Sequence, residues 1–176
     1  EIKDKKVEKL YSGSFDAITK GTKDGLSIAV NVAAILISVL ALVSIIDGFL
    51  SLLDADLSLK VILGYIFAPI SWLMGIPWSE VTGAAELLGI KIATNEFIAY
   101  ETLGDLDPAT FSDRTKVIIL YALCGFANFS SVGILVSGIG SMAPERVPDL
   151  IQVSGKALVG ATLASCLTGL VAGLFV

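Results

Sequence analysis

Four uncharged stretches dictate the solvent in which this chain folds. Gly25 to Ile46 runs for 22 residues without Asp, Glu, Lys or Arg. A helix rises about 1.5 Å per residue, so such a run reaches across a hydrocarbon core about 30 Å thick. Val61 to Ser79, Val117 to Pro144 and Ala157 to Val176 are uncharged as well. The charges collect between them, at Asp47, Asp54 and Asp56, from Asp105 to Lys116, and from Glu145 to Asp149.

Composition agrees. The 176 residues are 55% hydrophobic and 16% charged, where a soluble domain carries about 25% charged residues. Mean hydropathy is +0.83. So little polar surface cannot cover a water-soluble fold, and lipid must be the solvent for much of the chain. The expected fold class is an all-α integral membrane protein with several spans, partnered by the bilayer. A net charge of −5 with no basic stripe excludes a nucleic-acid binder. The chain has no His, which removes triads and imidazole metal sites. With no metal-ligand cluster and no activated nucleophile either, an enzyme is not expected. No phosphate-cradling loop occurs, so any transport is ion-coupled or passive. Cys124 and Cys166 each lie in an apolar run and are expected to be packing residues.

The expected organisation is a polar or interfacial segment over 1–25 and a transmembrane region over 26–176. Spans are placed at about 26–46, 61–76, 117–142 and 157–176. In the first segment Lys3, Lys5, Lys6, Lys9, Lys20 and Lys23 interleave with acids. Leu10, Tyr11, Phe15 and Ile18 form one apolar stripe there, compatible with a surface-lying helix or a plain loop. The polar opening Glu1-Ile2-Lys3-Asp4-Lys5-Lys6 points to a C-terminal fragment of a longer protein. By the positive-inside rule the lysines place this end in the cytoplasm.

Two segments break the pattern of plain spans. Pro77 to Thr102 holds Glu80, Glu86, Lys91, Glu96 and Glu101 among apolar and small residues. Each charge costs about 2.5–3.5 kcal/mol near the bilayer centre, so a lipid-facing span is excluded. A re-entrant helical hairpin over about 77–104, packed in protein, satisfies both facts. Within the third run, Gly125-Phe126-Ala127-Asn128-Phe129-Ser130-Ser131-Val132-Gly133 puts polar and glycine residues where a span is normally most apolar. A discontinuous helix, unwound around a cavity, has this composition.

These interruptions supply the candidate site. Glu96 is an ionisable group at membrane depth, a functional hypothesis by default; the competing reading is an ion pair with Lys91. Lys91 and Asn95 are four apart, so Lys91 either orients Asn95 or snorkels to an interface. Asn128 and Ser131, three apart at the break, supply donors and acceptors without charge, which suits a neutral polyhydroxyl ligand. Phe126 and Phe129 are by themselves packing residues. Glu80 suits a helix N-terminus, and Glu86 and Glu101 are rim charges. Ala157, Ala161, Ser165, Gly169 and Gly173 recur every four residues, a stripe for close helix packing.

Two strings carry a family resemblance. Gly89-Ile90-Lys91-Ile92-Ala93-Thr94-Asn95-Glu96-Phe97-Ile98-Ala99-Tyr100 resembles the G-x-K-x-x-x-N-E-F-V-A pattern of the concentrative nucleoside transporters, with Ile98 for Val. Tyr121 to Ile134 is similar to that family's broken-helix segment, and Gly140-Ser141-Met142-Ala143-Pro144-Glu145-Arg146 also has the family look. The resemblance implies the C-terminal half of a homotrimeric symporter of nucleosides such as uridine or adenosine. Coupling would be to Na+ or H+, by alternating access in the bacterial inner membrane, with no cofactor. Glu96, Asn128 and Ser131 would engage ribose hydroxyls, Asn95 would belong to the same substrate site, and Phe126 would lie against the base. No metal ligand is expected in these residues, since the family's sodium site and base-reading Gln-Thr-Glu motif belong to its N-terminal half. The family's outside C-terminus would invert the orientation given by the lysines. The alternative is a transporter or gating module of the same architecture for another solute or ion.

Overall fold

The structure, a computed structural model, describes residues 12–176, and every regular element among them is helical. The all-α expectation therefore holds. Residues 1–11, with Leu10 and Tyr11 of the expected stripe, lie outside the described residues. Phe15 and Ile18 fall in α1 (Ser14–Ser51) and are exposed. This helix of 38 residues contains the whole Gly25 to Ile46 run, and none of it is buried. With the stretch Pro144–Ala172, it is one of two helices among the described residues long and apolar enough to cross a membrane.

The stretch expected to span at 61–76 forms α2 (Leu59–Leu73), only 15 residues long, where a crossing takes about 20. Its start is held by Asp47, whose Oδ1 accepts from the Leu59 N–H at 2.6 Å. Its end is set by Gly75, at φ +88, where a side chain would be strained and would also press on the Arg114 guanidinium at 3.0 Å. The chain then turns back as α3 (Val81–Ala93), which lies along α2. At the crossing, a Cβ on Gly89 would come within 2.7 Å of the Lys60 carbonyl oxygen. Only a residue without a side chain permits that approach. α3 is apolar nearly all round and sits at the centre of the core, with Val81, Ala84, Leu87, Leu88 and Ile92 all buried.

After a turn of two residues α4 (Glu96–Asp105) begins and packs against α3. α5 (Asp113–Leu123) starts at a Ser112 cap, and Ser112 also donates through its N–H and Oγ to Glu80 at the start of α3. Glu80 thus stands at the start of α3 as its position indicates, but its carboxylate makes no cap there and serves Ser112 at the start of α5. Arg114 completes this end of the molecule. It donates to the carbonyls of Gly75 at 2.7 Å and Gly173 at 3.0 Å, placing a cation on the C-terminal ends of two helices.

The stretch expected as a span over 117–142 is divided, since α5 stops at Leu123 and α6 begins at Phe129 (Phe129–Met142). A 3-10 turn over Pro144–Arg146 leads into α7 (Val147–Ala172), which packs against both pieces. Toward its C-terminus Gly169 lies under Ile118 and Ala122 of α5. Toward its N-terminus Ala157 and Ala161 face Leu135 and Val136 of α6 across an apolar cavity of about 210 Å³. Of the four-residue stripe, Ser165, Gly169 and Gly173 are buried in packing, whereas Ala157 and Ala161 are exposed on the cavity wall. Cys166 is buried, whereas Cys124 is exposed, which corrects the reading of both as packing residues.

Candidate functional site

The residues singled out in the sequence meet where two helices end and two begin. α3 ends at Ala93 and α4 begins at Glu96; α5 ends at Leu123 and α6 begins at Phe129. The intervening turns, 94–95 and 124–128, lie against one another. Ser130 Oγ donates to the Thr94 carbonyl at 2.9 Å, and Asn128 Nδ2 donates to Glu96 Oε2 at 2.7 Å.

Both asparagines start helices. Asn95 Oδ1 accepts from the Ile98 N–H at 3.0 Å. Asn128 Oδ1 accepts from the Ser131 N–H at 2.7 Å, and Ser131 Oγ accepts in return from the Asn128 N–H at 3.0 Å. This reciprocal capping box satisfies two N–H groups that the helix leaves unpaired. It also fixes the chemistry available. Ser131 is 2% exposed and donates its hydroxyl proton to the Asn128 carbonyl at 2.7 Å, so in this conformation no donor remains for a ligand. Asn128, completely buried, has one carboxamide N–H on Glu96.

Glu96 is the charged group of the site. Half-buried in the first turn of α4, it faces the positive N-terminal ends of α4 and α6. It lines a cavity of about 300 Å³ together with Asn95, Asn128, Ser130, Phe97 and Phe126, closed on one side by Val32 and Leu36 of α1. Phe126 is half exposed there, a ring on the rim rather than in the core. The cavity therefore offers a carboxylate, a carboxamide and an aromatic face, suited to hydroxyl groups beside a flat apolar body.

Four of the five expected residues, Asn95, Glu96, Phe126 and Asn128, line this cavity. Ser131 does not; it lies on the apolar cavity between α6 and α7. Ser130 lines it instead, though the sequence reading passed over it. Its signal is the run Asn128-Phe129-Ser130-Ser131, in which the second serine closes the cap and the first falls on the adjacent face. The proposed pairing of Glu96 with Lys91 is absent among the described ion pairs. Nor does Lys91 orient Asn95 or snorkel. It is 1% exposed and donates from Nζ to the Ala122 carbonyl at 2.9 Å. Among the described residues no group of three or more His, Cys, Asp or Glu side chains is placed to hold a metal.

Fold and site define a helical membrane protein with a polar cavity at the junction of four helix ends. Residues 1–173 match the family described as Na+ dependent nucleoside transporter C-terminus. The nucleoside permease NupC of Helicobacter pylori is 38% identical over 98% of this chain and 43% of its own length. The sodium/nucleoside cotransporter 1 of Mus musculus is 37% identical over 90% of this chain and 28% of its own. Among solved structures, a CNTnw variant in the intermediate 3 state superposes with a TM-score of 0.87 at 39% identity, covering 97% of this chain and 44% of that one. The chain belongs to the concentrative nucleoside transporter family, whose C-terminal region it represents. It spans about two-fifths of the length of the bacterial relatives it matches. Those relatives are transporters, and this chain is not an enzyme.

Proposed function

We propose that this chain is the substrate-binding C-terminal half of a secondary nucleoside transporter, which moves nucleosides with Na+ or H+ by alternating access. The observation that carries this reading is the Asn128–Glu96 hydrogen bond on the wall of the 300 Å³ cavity, with Phe126 on its rim. In it, Glu96 and Asn128 receive the ribose hydroxyls, Phe126 lies on the base, Asn95 fixes the turn that carries Glu96, and Ser131 fixes Asn128. α3 and α4 act as the two arms of a re-entrant hairpin, and α5 and α6 as one discontinuous helix backed by α7. This matches the design in which interrupted helices place polar groups at the bilayer midplane.

The N-terminal half, absent from these residues, supplies the rest of the site and the coupling-cation position. The assembly is a homotrimer in the bacterial inner membrane. The relatives' names, nucleoside permease and sodium/nucleoside cotransporter, support nucleosides as cargo and a cation as the driving partner. Uptake of radiolabelled uridine by the full-length protein, driven by a Na+ or an H+ gradient and competed with adenosine, ribose and free bases, tests the reading. Competition by nucleosides alone supports it. Uptake that ignores them would assign the same architecture to another solute.

A further inference from the structure

Lys91 is among the most deeply enclosed side chains of the described chain, yet it lines neither of the two cavities above and has no carboxylate within ion-pair distance among the described residues. An ammonium removed from water at membrane depth persists only where something negative replaces its hydration. Here that is the C-terminal end of α5. A helix leaves its last four carbonyls without intrahelical partners, and its dipole adds about half a negative charge at that end. Ala122 and Leu123 at this end are fully buried, so their carbonyls cannot turn to water. Lys91 Nζ takes the Ala122 carbonyl at 2.9 Å, and the Tyr100 hydroxyl donates to the Leu120 carbonyl at 2.7 Å.

Gly125 lies between the ammonium and α7: a Cβ there would overlap Ser165 Oγ, which requires glycine, and would stand in ordinary contact with Lys91 Nζ at 3.6 Å. Lys91 itself sits in the last turn of α3, whose own C-terminal end lies beside it. The charges are thus sorted: the cation serves two helix C-termini, and Glu96 serves two helix N-termini, without a direct bond between them.

We propose that Lys91 is a tethered cation that fastens the broken end of α5 to α3 and thereby sets Asn128 opposite Glu96. It is a positioning residue of the nucleoside site and not a ligand contact. Put chemically, the end of α5 is a monovalent-cation position that this protein fills with its own side chain. Three links run between the same two segments, Lys91 to Ala122, Ser130 to Thr94 and Asn128 to Glu96. Loss of the first frees the end of α5 to move relative to the turn that carries Glu96.

The inference rests on the nucleoside reading of the cavity, and the test separates the two. In the full-length protein, uridine affinity and thermal stability are measured for wild type, Lys91→Met, Lys91→Ala and Lys91→Arg, with and without ethylammonium. Failure of the wild type to bind uridine would remove the nucleoside reading itself. Given wild-type binding, Lys91→Met should weaken uridine affinity about tenfold or more, the size of a lost charge-assisted bond. Ethylammonium should restore binding to Lys91→Ala, whose shortened side chain leaves room for it, and should leave the wild type unchanged. Uridine affinity unaltered by Lys91→Met would overturn the proposal. So would a loss in Lys91→Ala that no amine restores, since the side chain then acts by packing alone. Should the Met and Ala variants not accumulate, Lys91→Arg decides: retained binding supports the fixed charge, and its loss in a folded protein overturns it.

Discussion

Asn128 and Glu96, 32 positions apart in the chain, are joined by a 2.7 Å hydrogen bond from carboxamide to carboxylate. Each stands at the first turn of its own helix, so one bond registers α6 against α4. The variants below weigh that bond against the helix caps around it.

Glu96→Gln removes the only charge that lines the cavity among the described residues, while preserving the side chain's shape. Uridine affinity of the full-length protein should fall by about one to two decades, the range of a charge-assisted hydrogen bond. Glu86→Gln, on the exposed face of α3, should leave it unchanged. Equal losses from both in equilibrium binding would make Glu96 an ordinary interfacial charge.

Asn128→Asp separates capping from recognition. The aspartate still offers an oxygen to the Ser131 N–H, but it sets an acceptor, in place of a donor, against Glu96. Binding should collapse, and the melting temperature should fall at neutral pH through carboxylate repulsion and recover as acid lets the pair share one proton, the cap being intact. Asn128→Ala should lose both, with a cap penalty of about 1 kcal/mol. Nucleoside binding and thermal melts on the two variants, side by side, check the division.

Ser131→Ala takes away both hydroxyl bonds of the capping box but removes no group from the 300 Å³ cavity. It should cost stability of about 1 kcal/mol and weaken ribonucleosides and their deoxy analogues in the same proportion. A selective loss for ribonucleosides would place the hydroxyl on the sugar after all.

Gly169→Ala should destabilise by about 1–3 kcal/mol, because the new methyl would stand 2.5 Å from the Ile118 carbonyl oxygen, and backbone cannot step aside. Gly160→Ala, where nothing lies within 4 Å, should be neutral or slightly stabilising. Thermal melting in detergent compares them directly.

Helical character and the place of the candidate cavity were legible because both follow from local chemistry. Charges interrupt apolar runs only where water or protein receives them, so Glu96 and the polar break at Asn128 stood out. Helix ends were harder to place. The run from Val61 to Ser79 looks long enough to cross a bilayer, but Gly75 turns the chain and α2 closes at Leu73. The partners of Lys91 were hidden for another reason. An ammonium can be matched by backbone carbonyls 31 residues away, and backbone leaves no mark in sequence spacing. Asn95 and Asn128 were read as side chains awaiting a ligand, when much of their hydrogen-bonding capacity is spent on their own helices. Asn-x-x-Ser at 128–131 carries the spacing of a capping box, a pattern readable beforehand.

α7 acts as a splint. It is continuous where its neighbour is broken, packing closely on α5 through Gly169 and running beside α6 as well. The residues between α5 and α6 therefore need not be rigid for the two helices to stay aligned. Their backbone is free to serve Lys91 on one side and the cavity on the other. A helix whose last charged side chain is Lys156 thus helps to keep the two pieces that carry the polar groups in line.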